Sequence, residues 1–339
     1  MAGPEIAVVI PTHQRRELVL GLLQSLAAQR LDAARFEVSL VCDGCTDGTA
    51  ARALDLHGPA RPRGLNLVVT EQPCSGSAAA RNAGVQQTTA PLVLFLDDDM
   101  VAAPDLIQQH LRIHRTWPGG IAYGAVPVHE GSPRSFLSAG LAAWAQRRDR
   151  RLRRLTSVSP EEMLGGHLSL SRSLFEGLGG FDPLFTAGGC FGGEDIDFGW
   201  RARLRGVPLR YVPQAVARQV YTKTFRALAS DIRQGAMADV NLVRRHPDLR
   251  RWLMLGRLHE LGPLQRRFFE ATMRGSLAAS AAGKLGILAL DTAARWHRSG
   301  TALDLVHGLL RAHLYAAGLR QAGGIPAPAA AREHAALTA

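Results

Sequence analysis

The sequence predicts an α/β fold, a Rossmann-like sheet flanked by helices with a helical extension behind it. Three observations carry this. In the first third, short apolar runs alternate with helix-period segments, as βαβ units do. From about Thr224 to Arg320 the text is almost wholly helical, with repeated Leu, Ala and Arg. And three of the strand-like runs stop at polar residues, Thr12, Asp43 and Asp97, at the edge where open α/β sheets collect ligands.

Each element has its own signal. Ile6 to Ile10 is a buried-strand run ended by Pro11. Arg16 to Gln29 carries Val19, Leu22, Leu23 and Leu26 at helical spacing. Phe36 to Cys42 reads as a second strand and Asp43 to Thr49 as its loop; Thr49 to Leu56 reads as a helix. Leu65 to Thr70 is a third strand, Ser75 to Gln87 a small-residue helix, and Pro91 to Leu96 a fourth strand. Beyond Asp99 the pattern loosens. Six arginines in the eight positions Arg147 to Arg154 predict a solvated segment, and Gly165 to Gly206 is glycine-rich.

Composition sets the bounds. A chain of 339 residues, 46% hydrophobic, holds one large domain or two smaller ones and is not globally disordered. No apolar run reaches the roughly 18 residues of a spanning helix, and the first residues lack the basic and apolar regions of a signal peptide. The expected location is therefore the cytoplasm. The net charge of +11 suits phosphate, nucleic acid or an anionic membrane. However, only Lys223 and Lys284 are lysines, a bias that GC-rich coding, which favours Arg over Lys, also produces. The cysteines are Cys42, Cys45, Cys74 and Cys190. Cys42 and Cys45 form a C-x-x-C, but neither a thioredoxin-like helix start nor a second pair accompanies it, so reduced thiols are expected.

Three motifs carry chemistry. Asp97-Asp98-Asp99 ends an apolar strand, and three adjacent carboxylates call for a counter-charge. Mg2+ or Mn2+ fits, held by one or two carboxylates plus substrate phosphates. Side-chain alternation would aim Asp97 and Asp99 one way and Asp98 the other. The second motif is Gly192-Gly193-Glu194-Asp195-Ile196-Asp197, where two glycines precede acids at a helix start. Asp197 can pair with Arg201 four residues on, leaving Glu194 and Asp195 aimed at the glycine turn as a base. In the third, Ser75 to Gly84, small residues surround Arg81, whose planar fork suits phosphate or a base edge. It is neither a dinucleotide fingerprint nor a P-loop.

In order and spacing these pieces resemble the family 2 glycosyltransferases, over roughly Ile6 to Tyr221. The matching segments are Val8 to Arg15 with Pro11-Thr12, Val41 to Thr49 with Asp43, Ala80-Arg81-Asn82-Ala-Gly84, and Asp97 to Asp99. Gly179 to Asp182 and the Gly192 to Asp195 segment follow, the latter similar to galactosyltransferase and N-acetylgalactosaminyltransferase C-terminal regions. The resemblance implies a GT-A fold, a mixed sheet flanked by helices, and an inverting transfer from a nucleotide-diphosphate sugar, usually UDP-linked, to an acceptor hydroxyl. It implies that Pro11, Thr12, Asp43, Arg81, Asp97 and Asp98 bind the nucleotide sugar, and that Asp99, with Asp97, ligates the metal. Asp195 would be the general base, supported by Glu194. His167, Gly193 and Trp200 are candidate donor or acceptor contacts.

Two departures stand out: Cys42 and Cys45 replace an Asp and a Ser of the family's nucleotide loop, and no histidine follows Val212-Pro213, where relatives place a metal ligand. The processive enzymes' Gln-x-x-Arg-Trp is absent, since Arg251-Trp252 and Arg295-Trp296 lack the glutamine; a single-sugar transfer is expected. The implied organisation is a catalytic domain over 1–222, divided into a nucleotide-binding half (1–99) and an acceptor half (100–222). A helical extension over 223–321 and a flexible tail over 322–339 complete it. The acceptor, whether glycan, lipid-linked or small-molecule, is not legible. The arginine run could hold an acceptor phosphate, and the extension could lie on a membrane, pack or dimerise. Nucleic acid is not an expected partner, because no aromatic-interleaved basic platform occurs. Two rivals are a sugar nucleotidyltransferase, which would need a glycine-rich basic loop after its first strand, and a scaffold protein on a transferase fold.

Overall fold

The computed structural model describes residues 3–58, 64–163, 165–187, 192–295 and 301–326. Cys190, Phe191, Trp296 and the tail from 327 onward lie outside them. The chain divides into two compact units, Met1–Lys223 and Thr224–Ala339.

The first unit is built on one sheet. Strands β1 (Ile6–Thr12), β2 (Phe36–Asp43), β3 (Leu67–Gln72), β4 (Leu92–Leu96), β5 (Met100–Ala102), β6 (Ile121–Ala125), β7 (His167–Ser171) and β8 (Leu209–Gln219) lie in the order 3-2-1-4-7-6-8-5. The first four strands in that order are mutually parallel; β7 runs antiparallel between β4 and β6, and β5 antiparallel beside β8. The expected mixed α/β sheet is present.

Period-2 alternation explains why both sheet faces are covered. Ile6, Val8 and Ile10 of β1 enter one core, packed with Val19, Leu22, Leu23 and Leu26 of α1 (Arg16–Ala27). Val9, between them, enters the opposite core with Val93 and Phe95 of β4. In that second core Phe95, Phe181 and Phe198 pack at ring separations of 5.1 and 4.8 Å. They clamp α7 (Glu194–Leu204) onto the sheet, and so place its first turn at the strand ends.

The helices α2 (Thr49–His57), α3 (Ser77–Gln86) and α4 (Leu106–Thr116) connect successive strands. The arginine run enters α5 (Phe136–Leu152) and is helical as far as Leu152. Five of its six arginines are exposed, as a solvated segment requires, and only Arg148 turns inward. A reciprocal Ser135–Ser138 cap starts the helix. Arg148 and Leu152 are buried, and Glu162 accepts from both Arg148 and Arg151. The helix continues because opposite charges from elsewhere in the chain offset the self-repulsion of the run. The short α6 (Arg172–Gly177) follows β7.

The second unit is helical, as expected, with α8 (Phe225–Arg245), α9 (Pro263–Met273), α10 (Leu277–Arg295) and α11 (Thr301–Gln321). Single turns between residues 247 and 260 join α8 to α9. Ala236, Val240, Leu255, Phe269, Tyr315 and Leu319 form its core, where the Tyr315 hydroxyl donates to Asp239 at 2.5 Å.

Candidate active site

The site is assembled where the sheet's parallel strands end. β1 stops at Thr12 opposite Cys42, β2 at Asp43, and β4 just before Asp97. Residues 97–99 leave the strand in a turn, so alternation along an extended chain does not decide where the carboxylates point; their partners do. Asp97 accepts from Arg81 at 2.8 Å. Asp98 accepts from the Thr12 hydroxyl at 2.8 Å and from Arg15 at 3.0 Å. Asp99 accepts from the Gln219 amide at 3.1 Å, with Arg15 at 3.6 Å, while its buried Oδ1 has no partner.

Burial pushes the Asp99 carboxyl up to about 7, and the neighbouring charges of Asp97 and Asp98 add to the shift. Its negative charge is thus under-compensated. That orphan oxygen and the surplus of carboxylate over cation fit a divalent ion. Among the described residues no set of three His, Cys, Asp or Glu converges to hold one alone, so remaining ligands would have to come from substrate, as hard cations on phosphates prefer.

The second acidic cluster sits at the start of α7. Gly193 precedes the helix at φ +101°, a left-handed conformation that glycine adopts without a Cβ penalty. Glu194 accepts from Arg81 at 3.0 Å and from Ser77 at 3.3 Å. Asp195 accepts from the Gly165 amide at 3.3 Å and from the Ile196 amide at 2.8 Å. Burial and the charge of Glu194 raise the Asp195 carboxyl to about 7, in the range where a carboxylate acts as a base near neutrality. Asp197 pairs with Arg201 at 2.7 Å, and Arg201 also donates to the carbonyls of Leu178 and Gly180. That triad braces the helix.

Arg81 joins the two clusters. It is 5% exposed and spans Asp97 and Glu194 with the two arms of one guanidinium. Burial acts to lower its pKa, but the two carboxylates hold it firmly charged. Gly166 matters equally: its carbonyl accepts from the Asp97 amide at 3.0 Å, and a Cβ there would lie 2.0 Å from Asp97 Oδ2.

Several expected contacts are placed differently. The Asp43 carboxylate is filled by its own loops, taking hydrogen bonds from Gln72 and from the Ser75 and Gly76 amides. His167, expected at a ligand, is wholly buried, with its Nε2 3.1 Å from that of His110. Burial lowers its pKa to about 4, so it is neutral. His110 and His114 both reach Ser169, making this a polar seam in the core. Trp200 is likewise buried, at 6% exposure. Cys42 and Cys45 are free, and burial raises the Cys42 thiol to about 12, which suppresses thiolate chemistry.

Arg15 and Gln219 are the members the sequence did not single out. Gln219 meets Asp99 in the stretch where a histidine was expected and missing. Its only sequence signal is its place at the end of an apolar strand.

Comparison with known proteins identifies the family and the fold. The model for glycosyl transferase family 2 matches residues 7–179. A validoxylamine A glucosyltransferase of Streptomyces hygroscopicus is 30% identical over 274 residues, 73% of this chain and 62% of that protein. The chain thus spans about three fifths of that relative. Among solved structures, mannosyltransferase PcManGT of Pyrobaculum calidifontis, in complex with GDP-Man and Mn2+, superposes with a TM-score of 0.61 at 20% identity. The match covers 94% of this chain and 87% of that one. Staphylococcus aureus TarS 1–349, in complex with UDP-GlcNAc, gives 0.53 at 16% identity, covering 94% and 92%. At such identities the likeness is one of fold. Sheet order, strand-end carboxylates and family match converge: the chain is a glycosyltransferase of family 2 on a GT-A fold.

Proposed function

We propose that this chain is an inverting transferase that moves a single sugar from a nucleotide-diphosphate sugar, UDP-linked by preference, to an acceptor hydroxyl. The observation that carries this reading is the Arg81 bridge. One buried cation brings the strand-end acids and the start of α7 together, so a donor-binding and a proton-accepting carboxylate serve one cleft.

Pro11, Thr12 and the loop that Asp43 braces would receive the nucleoside, with Arg81, Asp97 and Asp98 beyond them toward the diphosphate. Asp99 and Asp97 would hold Mg2+ or Mn2+; the Mn2+ bound to the mannosyltransferase of similar fold supports that class of ion. When bound, such an ion supplies Lewis-acid stabilisation of charge on the leaving diphosphate. Asp195 takes the proton from the acceptor hydroxyl as its oxygen attacks the anomeric carbon and the bond to the diphosphate breaks. Glu194, fixed by Arg81 and Ser77, holds Asp195 in place and keeps its pKa high. His167, Gly193 and Trp200 act in this reading by shaping the turn and helix behind the reacting groups.

The test is to replace Asp99 and Asp195 separately with Asn and to assay transfer and donor hydrolysis over a panel of nucleotide sugars. Full activity in either folded variant removes that residue from its role. Calorimetry with UDP and Mn2+ is the second arm: absence of metal-dependent nucleotide binding returns the chain to a scaffold.

A further inference from the structure

In the second unit, α9, α10 and α11 leave an apolar groove of about 440 Å³. Leu264 and Phe268 of α9, Gly286 of α10, and Val306 and Leu309 of α11 line it, and Arg267 is its one charged wall. Beside it runs an outward face of α10. Leu277, Leu285 and Leu288 are 86%, 68% and 61% exposed, and helical geometry puts them within about a quarter turn of one another. Lys284 stands at the edge of that face away from Gly286. Leu264 and Leu305 add exposed apolar surface on the neighbouring helices. Leu285, about a quarter turn from groove-lining Gly286, links this face to the groove, and exposed leucines grouped on one helix face mark a docking surface.

Charge decides the occupant. Residues 224–339 contain sixteen Lys and Arg against eight Asp and Glu, so this third of the chain carries most of the net +11. Two copies meeting here would bring together two segments that each carry a surplus of eight cations. An anionic lipid surface offers opposite charge and accepts leucine side chains into its acyl boundary. None of the helices with described residues is long and apolar enough to cross a membrane, so the contact lies in the interface plane. We propose that the α9–α11 face is a peripheral docking surface for an anionic membrane, with Leu277, Leu285 and Leu288 entering the headgroup boundary and Arg267 and Lys284 meeting lipid phosphates.

Vesicle co-sedimentation of the full chain tests this without recourse to activity. The wild-type protein should sediment with vesicles of equal parts phosphatidylglycerol and phosphatidylcholine, and not with phosphatidylcholine alone. The double variant Leu285→Asp/Leu288→Asp should lose about tenfold or more of that binding. Arg267→Glu/Lys284→Glu should lose less, and chiefly the part that salt removes. Unchanged melting temperature and circular dichroism exclude misfolding at these exposed sites. Failure of the wild type to sediment with the anionic vesicles overturns the proposal, as does undiminished binding by the leucine variant. A wild-type dimer that the leucine changes dissociate also overturns it, in favour of a second copy. Binding of UDP, measured in parallel, reports separately on the transferase reading.

Discussion

The acidic cluster after β4 and the one opening α7 are built alike and left unequal in the same way. In each, carboxylates are tied to arginine: Asp98 to Arg15 and Asp97 to Arg81 in the first, Glu194 to Arg81 in the second. In each, a less firmly paired neighbour is lifted by burial to about 7: Asp99, 3.6 Å from the shared Arg15, in the first cluster, Asp195 in the second. The tied acids add a fixed negative field to the effect of burial, since a like charge nearby disfavours ionisation. The difference lies in what the free acid awaits. Asp99 has a buried oxygen with no donor, suited to a cation. Asp195 takes only amide hydrogen bonds, suited to a proton.

That contrast is broken most severely at Asp195. Asp195→Asn removes the proton acceptor while keeping shape, so kcat for transfer should fall about 10²–10⁴-fold with the melting temperature held. A decrease under threefold would assign the base elsewhere. Next in size is Asp99→Asn, with an expected loss of about 10²–10³-fold, the scale of removing one preorganised electrostatic contact to the leaving group. It should also abolish the rise in melting temperature that Mn2+ and UDP together give the wild type. A shift that persists undiminished would take Asp99 out of metal binding.

The pH dependence separates the two roles further. Catalysis needs both carboxylates ionised, so transfer should fall as pH drops through about 7, at tenfold per unit for each group that must lose its proton. Stability runs the other way. A carboxyl whose folded pKa lies above its unfolded value near 4 stabilises the fold at low pH. The stability that Asp99 and Asp195 contribute, read as the melting temperature of the metal-free wild type minus that of Asp99→Asn or Asp195→Asn, should therefore decline as pH rises from about 4 to about 7. His110, His114 and His167, whose pKa values burial lowers, tilt the whole profile the other way. Mn2+ with UDP should reverse the decline, because the ion binds the deprotonated form. A wild-type profile that runs parallel to those of the two Asn variants across that window would contradict the raised values.

How much of this could be read from sequence follows from the range of the forces involved. β1 to β4 were legible to within two residues because β1 and β4 are largely apolar runs and β2 and β3 are apolar-rich segments between helix-period stretches. β5, β6 and β7 were not: β5 has three residues, and β6 and β7, five residues long like β4, are broken by glycine or by serine and histidine. The arginine run reads correctly as solvated, but its helical form was not legible, because its partner Glu162 acts through space on a helix that local repulsion would weaken. Asp97 to Asp99, Glu194 and Asp195 were visible as clustered charge. Arg15 and Gln219 were not, because Arg15 reaches Asp98 across 83 residues and Gln219 reaches Asp99 across 120, and only the folded sheet brings them in. The surroundings of His167 were hidden for a related reason: only the fold brings Gly124 and His110 against a histidine that the sequence shows beside a glycine pair.

The smallest expected effect lies at Asp98, and it sharpens the comparison most. Asp98→Asn keeps an oxygen for the Thr12 hydroxyl and removes the charge paired with Arg15, whose side chain is 40% exposed and can turn to solvent. Burial already raises the Asp98 carboxyl, so losing its charge spares a desolvation cost that partly offsets the lost ion pair. Stability should change by about 1 kcal/mol or less, and transfer by less than tenfold. The informative reading is at Asp99: with one like charge fewer beside it, its pKa should drop, and the acidic limb of the transfer profile should move to lower pH. An unmoved limb would mean that burial and Asp97 set the Asp99 value, and that Asp98 does not tune it.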